Sequence, residues 1–202
     1  MRWYDWFAGF YDRSLERLYR DARSAAAEAL RVAPEHAVLD LPCGTGQSFN
    51  DLAPRCAALV GVDLSAGMLR QARRRADEHG WTHVHLLERD VHALSPADLA
   101  VAGPRIDRLL VFLGLSTFPR WEMAFEHLWQ LLAPGGRCVV VDVHAARLGL
   151  QGRMVNLVAG ADIRRRTWEP LARLSAGFTR ADLPHRREHG GQIFLAVGDK
   201  PA

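Results

Sequence analysis

Two kinds of hydrophobic pattern take turns along the chain. Short, nearly unbroken apolar runs fall at 37–41, 58–63, 83–87, 106–114 and 138–144, and stretches of helical periodicity lie between them. Apolar runs of that length separated by amphipathic segments predict a parallel sheet covered on both faces by helices. The run at 106–114 is nearly continuous and suits a sheet covered on both faces, so it should be central. Helices are expected over 15–32, 47–55 and 121–132 and along the stretch carrying Arg70, Arg73, Arg74 and Arg75, with Pro34 and Gly80 as stop signals. At the C-terminus, runs at 178–187 and 192–198 flank Gly190-Gly191 and predict an antiparallel hairpin. The first eleven residues hold Trp3, Tyr4, Trp6, Phe7, Phe10 and Tyr11, and positions 3, 7 and 10 share a helical face. Such a segment either packs on the core or closes over a site as a lid.

The candidate chemistry lies where the apolar runs end. The first run breaks into Asp40-Leu41-Pro42-Cys43-Gly44-Thr45-Gly46, and Gly44 and Gly46 allow a sharp turn that brings backbone close to a ligand. A dinucleotide fingerprint needs a third glycine three residues after Gly46, where this chain has Phe49, so a nicotinamide cofactor is disfavoured. The terminal antiparallel hairpin argues the same way. The second run ends in Asp63, 17 residues beyond Gly46, at the edge of a neighbouring strand. A carboxylate there can accept from both hydroxyls of a ribose, and Ser65 is the better cap for the following helix. The third run leads to Asp90.

The segment 40–46 resembles the first motif of the class I S-adenosyl-L-methionine (SAM) dependent methyltransferases, with Pro42 in place of the first glycine. Gly61-Val62-Asp63-Leu64-Ser65-Ala66-Gly67-Met68 and the Leu-x-Pro-Gly-Gly of residues 132–136 are similar to further features of that family. The resemblance implies an α/β, Rossmann-like, mostly parallel seven-stranded sheet of order 3-2-1-4-5-7-6 with strand seven antiparallel. It implies SAM as cofactor, held by Asp40, Pro42, Cys43, Gly44, Thr45, Gly46 and Asp63, by Leu64 and Met68 beside the adenine, by Asp90 and Val91 at its edge, and by Leu113 at the exit of strand four. The N-terminal Tyr-Asp…Tyr-Asp pattern looks like the segment that closes over SAM in ubiquinone and menaquinone C-methyltransferases, which adds Tyr11. On this reading residues 1–202 are one domain, with 1–33 a helical lid and 145–177 a substrate-side insert.

Composition narrows the reading further. With 202 residues, 49% apolar and 24% charged, a single globular domain is expected, and no apolar run approaches the ~20 residues that span a bilayer. The N-terminus lacks the form of a signal peptide, so a cytoplasmic location is expected, with peripheral membrane contact left open. Cys43, Cys56 and Cys138 suit neither a disulfide framework nor a metal site. Residues 145–202 carry ten Lys/Arg against five Asp/Glu, making the C-terminal quarter the basic part. Lys200 is the only lysine, so the arginines reflect gene composition as readily as phosphate recognition, and no nucleic-acid module is recognisable. Residues 114–119 lack the Asn/Asp-Pro-Pro-Tyr signature that grips a planar nitrogen, so the acceptor is expected to be a small molecule, apolar or lipid-like, and not a nucleobase. In the insert, Leu148, Leu150, Met154, Val155, Leu157 and Val158 form an apolar stripe ahead of Arg164-Arg165-Arg166. A core-packed helix with solvated arginines is the simpler reading, and a wall for an apolar or anionic substrate the other. His144, Asp142, Tyr11 and His92 are the groups within sequence reach of the transferred carbon, none with a motif behind it. Transfer of the 3-amino-3-carboxypropyl group, or SAM binding without turnover, would use the same fold, and the sequence does not set the oligomeric state.

Overall fold

In the computed structural model, which describes residues 18–184 and 189–202, the apolar runs become strands. The chain order is β1 (Ala37–Asp40), β2 (Ala58–Asp63), β3 (Val84–Glu88), β4 (Ile106–Phe112), β5 (Leu132–His144), β6 (Ala176–Asp182) and β7 (Gln192–Asp199). They form one sheet of order β3-β2-β1-β4-β5-β7-β6. Strands β1 to β5 pair in parallel, and β7 runs antiparallel to both β5 and β6. The helices are residues 18–30 (α1), α2 (Phe49–Leu52), α3 (Ala66–Glu78), α4 (Pro96–Leu99), α5 (Trp121–Leu131), α6 (Leu150–Ala159) and α7 (Glu169–Leu174). Among the described residues no helix is long and apolar enough to cross a membrane.

Side-chain alternation along the central strands feeds two separate cores. Val38, Leu110, Phe112, Val139 and Val141 pack on one face with Ala26 and Leu30 of α1, Phe49 of α2 and Leu69 and Ala72 of α3. Leu39, Leu109, Val111, Cys138 and Val140 pack on the other with Phe125 and Leu128 of α5 and Leu171 of α7. Burial on both faces is why these strands read as continuous apolar runs.

Three boundaries differ from the sequence expectation. The helix after Gly46 is one turn, Phe49–Leu52, followed by a 3-10 turn at Ala53–Arg55, because Pro54 has no amide hydrogen to continue the ladder. Strand β5 begins at Leu132, which pairs with Ile106 across a register shift. Gly135 and Gly136 there exchange main-chain hydrogen bonds with Lys200, whose ammonium donates to the carbonyls of Trp129 and Leu132 at the end of α5. Strand β6 stops at Asp182, two residues before Pro184, so the hairpin is shorter on that side. The aromatic segment expected at the N-terminus, Tyr11 included, lies outside the described residues.

Phe49 explains the glycine pattern of the first crossover. Its side chain is fully buried, and a Cβ added at Gly46 would stand 2.6 Å from its ring, while one at Gly61 on β2 would stand 2.7 Å from it. One aromatic ring thus fills the space that glycine leaves at both positions. Phe49→Ala should destabilise the protein by about 3–5 kcal/mol, read from the urea midpoint at unchanged m-value. A loss under about 1 kcal/mol would show that the ring is not the wedge under this turn.

Candidate functional site

Parallel pairing sets the ends of β1, β2, β3 and β4 side by side. Asp40 is in register with Gly61 and Leu110, and Asp63 with Glu88, so Asp40, Asp63, Asp90 and Leu113 line one edge of the sheet. Acids that are far apart in sequence are brought together by the strand order alone.

The turn after β1 is held at several points. The Leu41–Pro42 peptide is cis. The Cys43 amide donates to the Val62 carbonyl at 2.9 Å, the Gly46 amide to the Cys43 carbonyl at 2.9 Å, and Arg75 to the Thr45 carbonyl at 3.2 Å. Gly44 has φ +54°, and a Cβ there would meet nothing within 4 Å, so the turn presents open space at that residue. Burial raises the Cys43 thiol pKa well above the ordinary range, so it remains protonated. Pro42 lies against the exit of β4, where a Cβ on Gly114 would collide with its ring. The preceding residue, Leu113, is left-handed at φ +54°, a strained backbone for a branched side chain, and its amide donates to the Val141 carbonyl at 2.7 Å.

Asp63 ties this turn to the next one. One carboxylate oxygen accepts from the Gly44 amide at 2.9 Å and the other from the Ser65 amide at 2.8 Å. Burial raises its pKa, and the Ser65 and Gly44 amides oppose that shift. Each oxygen keeps a second acceptor site. Ser65 caps α3, accepting from the Met68 amide at 3.3 Å, which is the division of labour that the spacing predicts. Leu64 is 58% exposed and Met68 half-buried beside it. Asp90 is exposed, accepts from the His92 amide at 2.8 Å and caps the turn that starts at buried Val91.

Asp40 is the anomaly. It is 1% exposed, and neither carboxylate oxygen has a hydrogen-bond partner among the described residues. Burial pushes its pKa up to about 8, against the pull of Arg23 and with a further push from Asp63. Arg23, on α1, is itself buried and lies over the Phe112 ring at 5.4 Å. Tyr19 meets the same ring edge-on at 6.2 Å and stacks on His189 at 5.0 Å. Sequence reasoning passed over Arg23, Tyr19 and His189. Arg23 could have been found, because positions 19, 23, 26 and 30 share a helical face on which it is the one charge.

Past β4 and β5 the arrangement is structural. Asp142 is fully buried and accepts from the Ser116 amide at 2.8 Å, the Ser116 hydroxyl at 2.7 Å, the Val143 amide at 2.9 Å and the Thr167 hydroxyl at 3.5 Å. Its acceptors are used, so it is a clamp between strand exits and has none to spare for a reacting atom. Arg165 donates to the carbonyls of Leu115, Ser116 and Phe118. Arg164 pairs with Asp162 and Arg166 with Glu169. Of the arginine run, Arg165 is thus engaged within the fold, while Arg164 and Arg166 pair at the surface and remain largely exposed. His144 places Nδ1 3.2 Å from the Arg165 carbonyl and its ring edge-on to Trp168. A carbonyl only accepts, so Nδ1 carries a proton, and in the neutral ring the lone pair lies on Nε2. His92 is half-buried, with no partner for Nε2 among the described residues. No group of side chains among the described residues could hold a metal ion.

Comparison with known proteins agrees with this geometry. A family profile described as a methyltransferase domain matches residues 38–136. A demethylmenaquinone methyltransferase of Thermus thermophilus is 38% identical over 122 residues, which is 59% of this chain and 52% of that protein. A trans-aconitate 2-methyltransferase of Methylobacterium nodulans is 33% identical over 77% of this chain and 56% of its own length. The chain thus spans about half the length of these curated relatives. Among solved structures, a geranyl diphosphate C-methyltransferase from Streptomyces coelicolor, in complex with Mg2+, geranyl diphosphate and S-adenosyl-L-homocysteine, superposes with a TM-score of 0.74 at 19% identity, covering 92% of this chain and 80% of that one. The N-methyltransferase NodS from Bradyrhizobium japonicum, in complex with S-adenosyl-L-homocysteine, gives 0.69 at 18% identity, covering 89% and 87%. At these identities the two structures speak to the fold.

The unpartnered carboxyl sets a pH dependence. Because its folded pKa of about 8 lies above the ordinary 3.8, the folded state keeps a proton that the unfolded chain gives up, and stability falls as pH rises through that window. Asp40→Asn removes the ionisation and should raise the melting temperature of the ligand-free protein at pH 8, by a margin that shrinks toward pH 5. The same margin at both pH values would mean that Asp40 imposes no such penalty.

Proposed function

We propose, from the premise that the chain belongs to the class I SAM-dependent methyltransferases, that it passes the sulfonium methyl of SAM to a small, apolar acceptor. The observation that carries this reading is the Asp40 carboxylate, buried and unpartnered beside an open glycine turn. A cationic amine placed there would supply the missing hydrogen bonds and relieve the desolvation that raises its pKa. SAM fits, since it carries an ammonium, a ribose diol and a planar base. On this reading Asp40 takes the ammonium, the spare acceptor sites of Asp63 take the diol, and Leu64 and Met68 cover one face of the base. Asp90 and the Val91 amide meet the base edge, the 42–46 turn and Leu113 shape the middle of the cleft, and Tyr11 belongs to a segment 1–33 that closes it.

SAM supplies an already activated electrophilic methyl group, so the protein's task is alignment and exclusion of water. A base is needed only for an acceptor that arrives protonated, and His144, with Nδ1 held by a carbonyl, is the side chain whose Nε2 is set to take that proton. The acceptors named for relatives are demethylmenaquinone, trans-aconitate and geranyl diphosphate, which supports a small molecule. The apolar choice rests on Tyr19 and Phe112 beside the β4 exit and on the inward engagement of Arg165. Incubating the protein with methyl-labelled SAM and a host extract, then identifying the product by mass, tests the reaction. A methylated small apolar product is expected. A product heavier by an aminocarboxypropyl group, or none despite SAM binding, would overturn it.

Asp63 gives a sharper cofactor test. Asp63→Ala removes two charge-assisted hydrogen bonds to the ribose and should weaken SAM by about 2 kcal/mol or more, roughly thirtyfold, in a calorimetric titration. Unchanged affinity, or tight NAD binding by the wild-type protein, would contradict the assignment.

A further inference from the structure

Helix α6 is turned inside out. Its inward side is made by Gly152, Val155, Asn156 and Ala159, with Gly152 packed against the Gly190 carbonyl and Ile163. Its outward side holds Leu150 (83% exposed), Met154 (59%), Leu157 (84%) and Val158 (54%). Positions 150, 154, 157 and 158 lie on one helical face and face solvent, whereas Leu148 and Val155, the remainder of the stripe read from the sequence, pack against the core, so the expected core packing holds for those two alone. A contiguous apolar face on a short surface helix is the feature of an interaction site.

The charges around it point to the occupant. Residues 145–168 contain five arginines and one acid, Asp162. Arg147 and Arg153 are exposed and make no ion pair among the described residues, and Arg153 borders Leu157 on the helix surface. The side chains of Arg164 and Arg166, although each paired with an acid, are 62% exposed. An aliphatic face rimmed by arginine is the composition of a helix that lies in a membrane interface, with leucine and methionine among the acyl chains and arginine at the headgroups. Acidic headgroups complete the charge match.

We propose that α6 docks this protein on anionic lipid surfaces, with Leu150, Met154, Leu157 and Val158 inserted and Arg147 and Arg153 on the headgroups. Docking stands independently of which acceptor is methylated. It also sets α6, which follows the β5 exit, and with it the ligand edge of the sheet against the bilayer, where an apolar molecule dissolved in lipid would enter.

The test is flotation of the full chain with vesicles of pure phosphatidylcholine and of equal parts phosphatidylcholine and phosphatidylglycerol. The wild-type protein is expected to float with the mixed vesicles, less so as salt rises, and only weakly with the neutral ones. Leu150→Glu/Leu157→Glu, at two fully solvated positions, should keep the wild-type melting temperature and bind at least about tenfold less. Arg147→Ala and Arg153→Ala should each weaken binding about fivefold. Equal binding to both vesicle types, or full binding by the double glutamate variant, would overturn the proposal. So would a wild-type dimer in sedimentation that the double variant dissociates, since the face would then be covered by a second copy.

Discussion

A buried carboxylate without a hydrogen-bond partner is costly, and a fold keeps one only where something else completes it. Asp40 is that group here, and the edge of the sheet is arranged around it. Its neighbour Asp63 satisfies one acceptor site on each oxygen with amides from two different turns and so locks both in place. Two neighbouring carboxylates, one buried and one half-buried, are therefore differently committed: Asp63 organises the loops, and Asp40 makes no hydrogen bond among the described residues. Arg23 tempers the charge of Asp40 from the helix above, yet the carboxyl still stays protonated near neutrality.

The scaffolding beneath this edge relies on a few tight contacts. Phe49 occupies the space under Gly46 and Gly61, and Pro42 occupies the space above Gly114. Each bulky residue makes a glycine necessary at a distant position, which fixes the separation of the β1, β2 and β4 exits. Further along, Asp142 and Arg165 fasten the loop after β4 to the segment after β5, using a carboxylate whose acceptors are taken and a guanidinium whose Nη1 is spent on three carbonyls.

Much of this was legible in the sequence, for identifiable reasons. Strands β1 to β5 announce themselves because burial on both faces leaves them mostly apolar, with only a few polar positions such as Asp107, Arg108 and Asp142 inside them, and the acids at the ends of β1 and β2 stand out against that background. The sheet order and the antiparallel β7 match the family expectation, including the shift from helical crossovers to a terminal hairpin. What stayed hidden depends on contacts remote in sequence. Pairing of Leu132 with Ile106 lengthened β5, Pro54 cut α2 short, and the inward role of Arg165 could not be told from that of solvated Arg164 beside it. The stripe on α6 shows the limit most clearly, since periodicity identifies an apolar face but does not say whether protein or solvent lies opposite.

The central claim is that the ammonium of SAM completes Asp40. Protonated Asp40 must then lose its proton when the cofactor binds, because a cation beside it stabilises the ionised form. Calorimetric titration of S-adenosylhomocysteine, which carries the same ammonium, at pH 7 in buffers of low and high ionisation enthalpy measures that proton directly. The account predicts release of close to one proton in the wild-type protein and almost none in Asp40→Asn. Binding with no proton release, or equal release by both proteins, would contradict it.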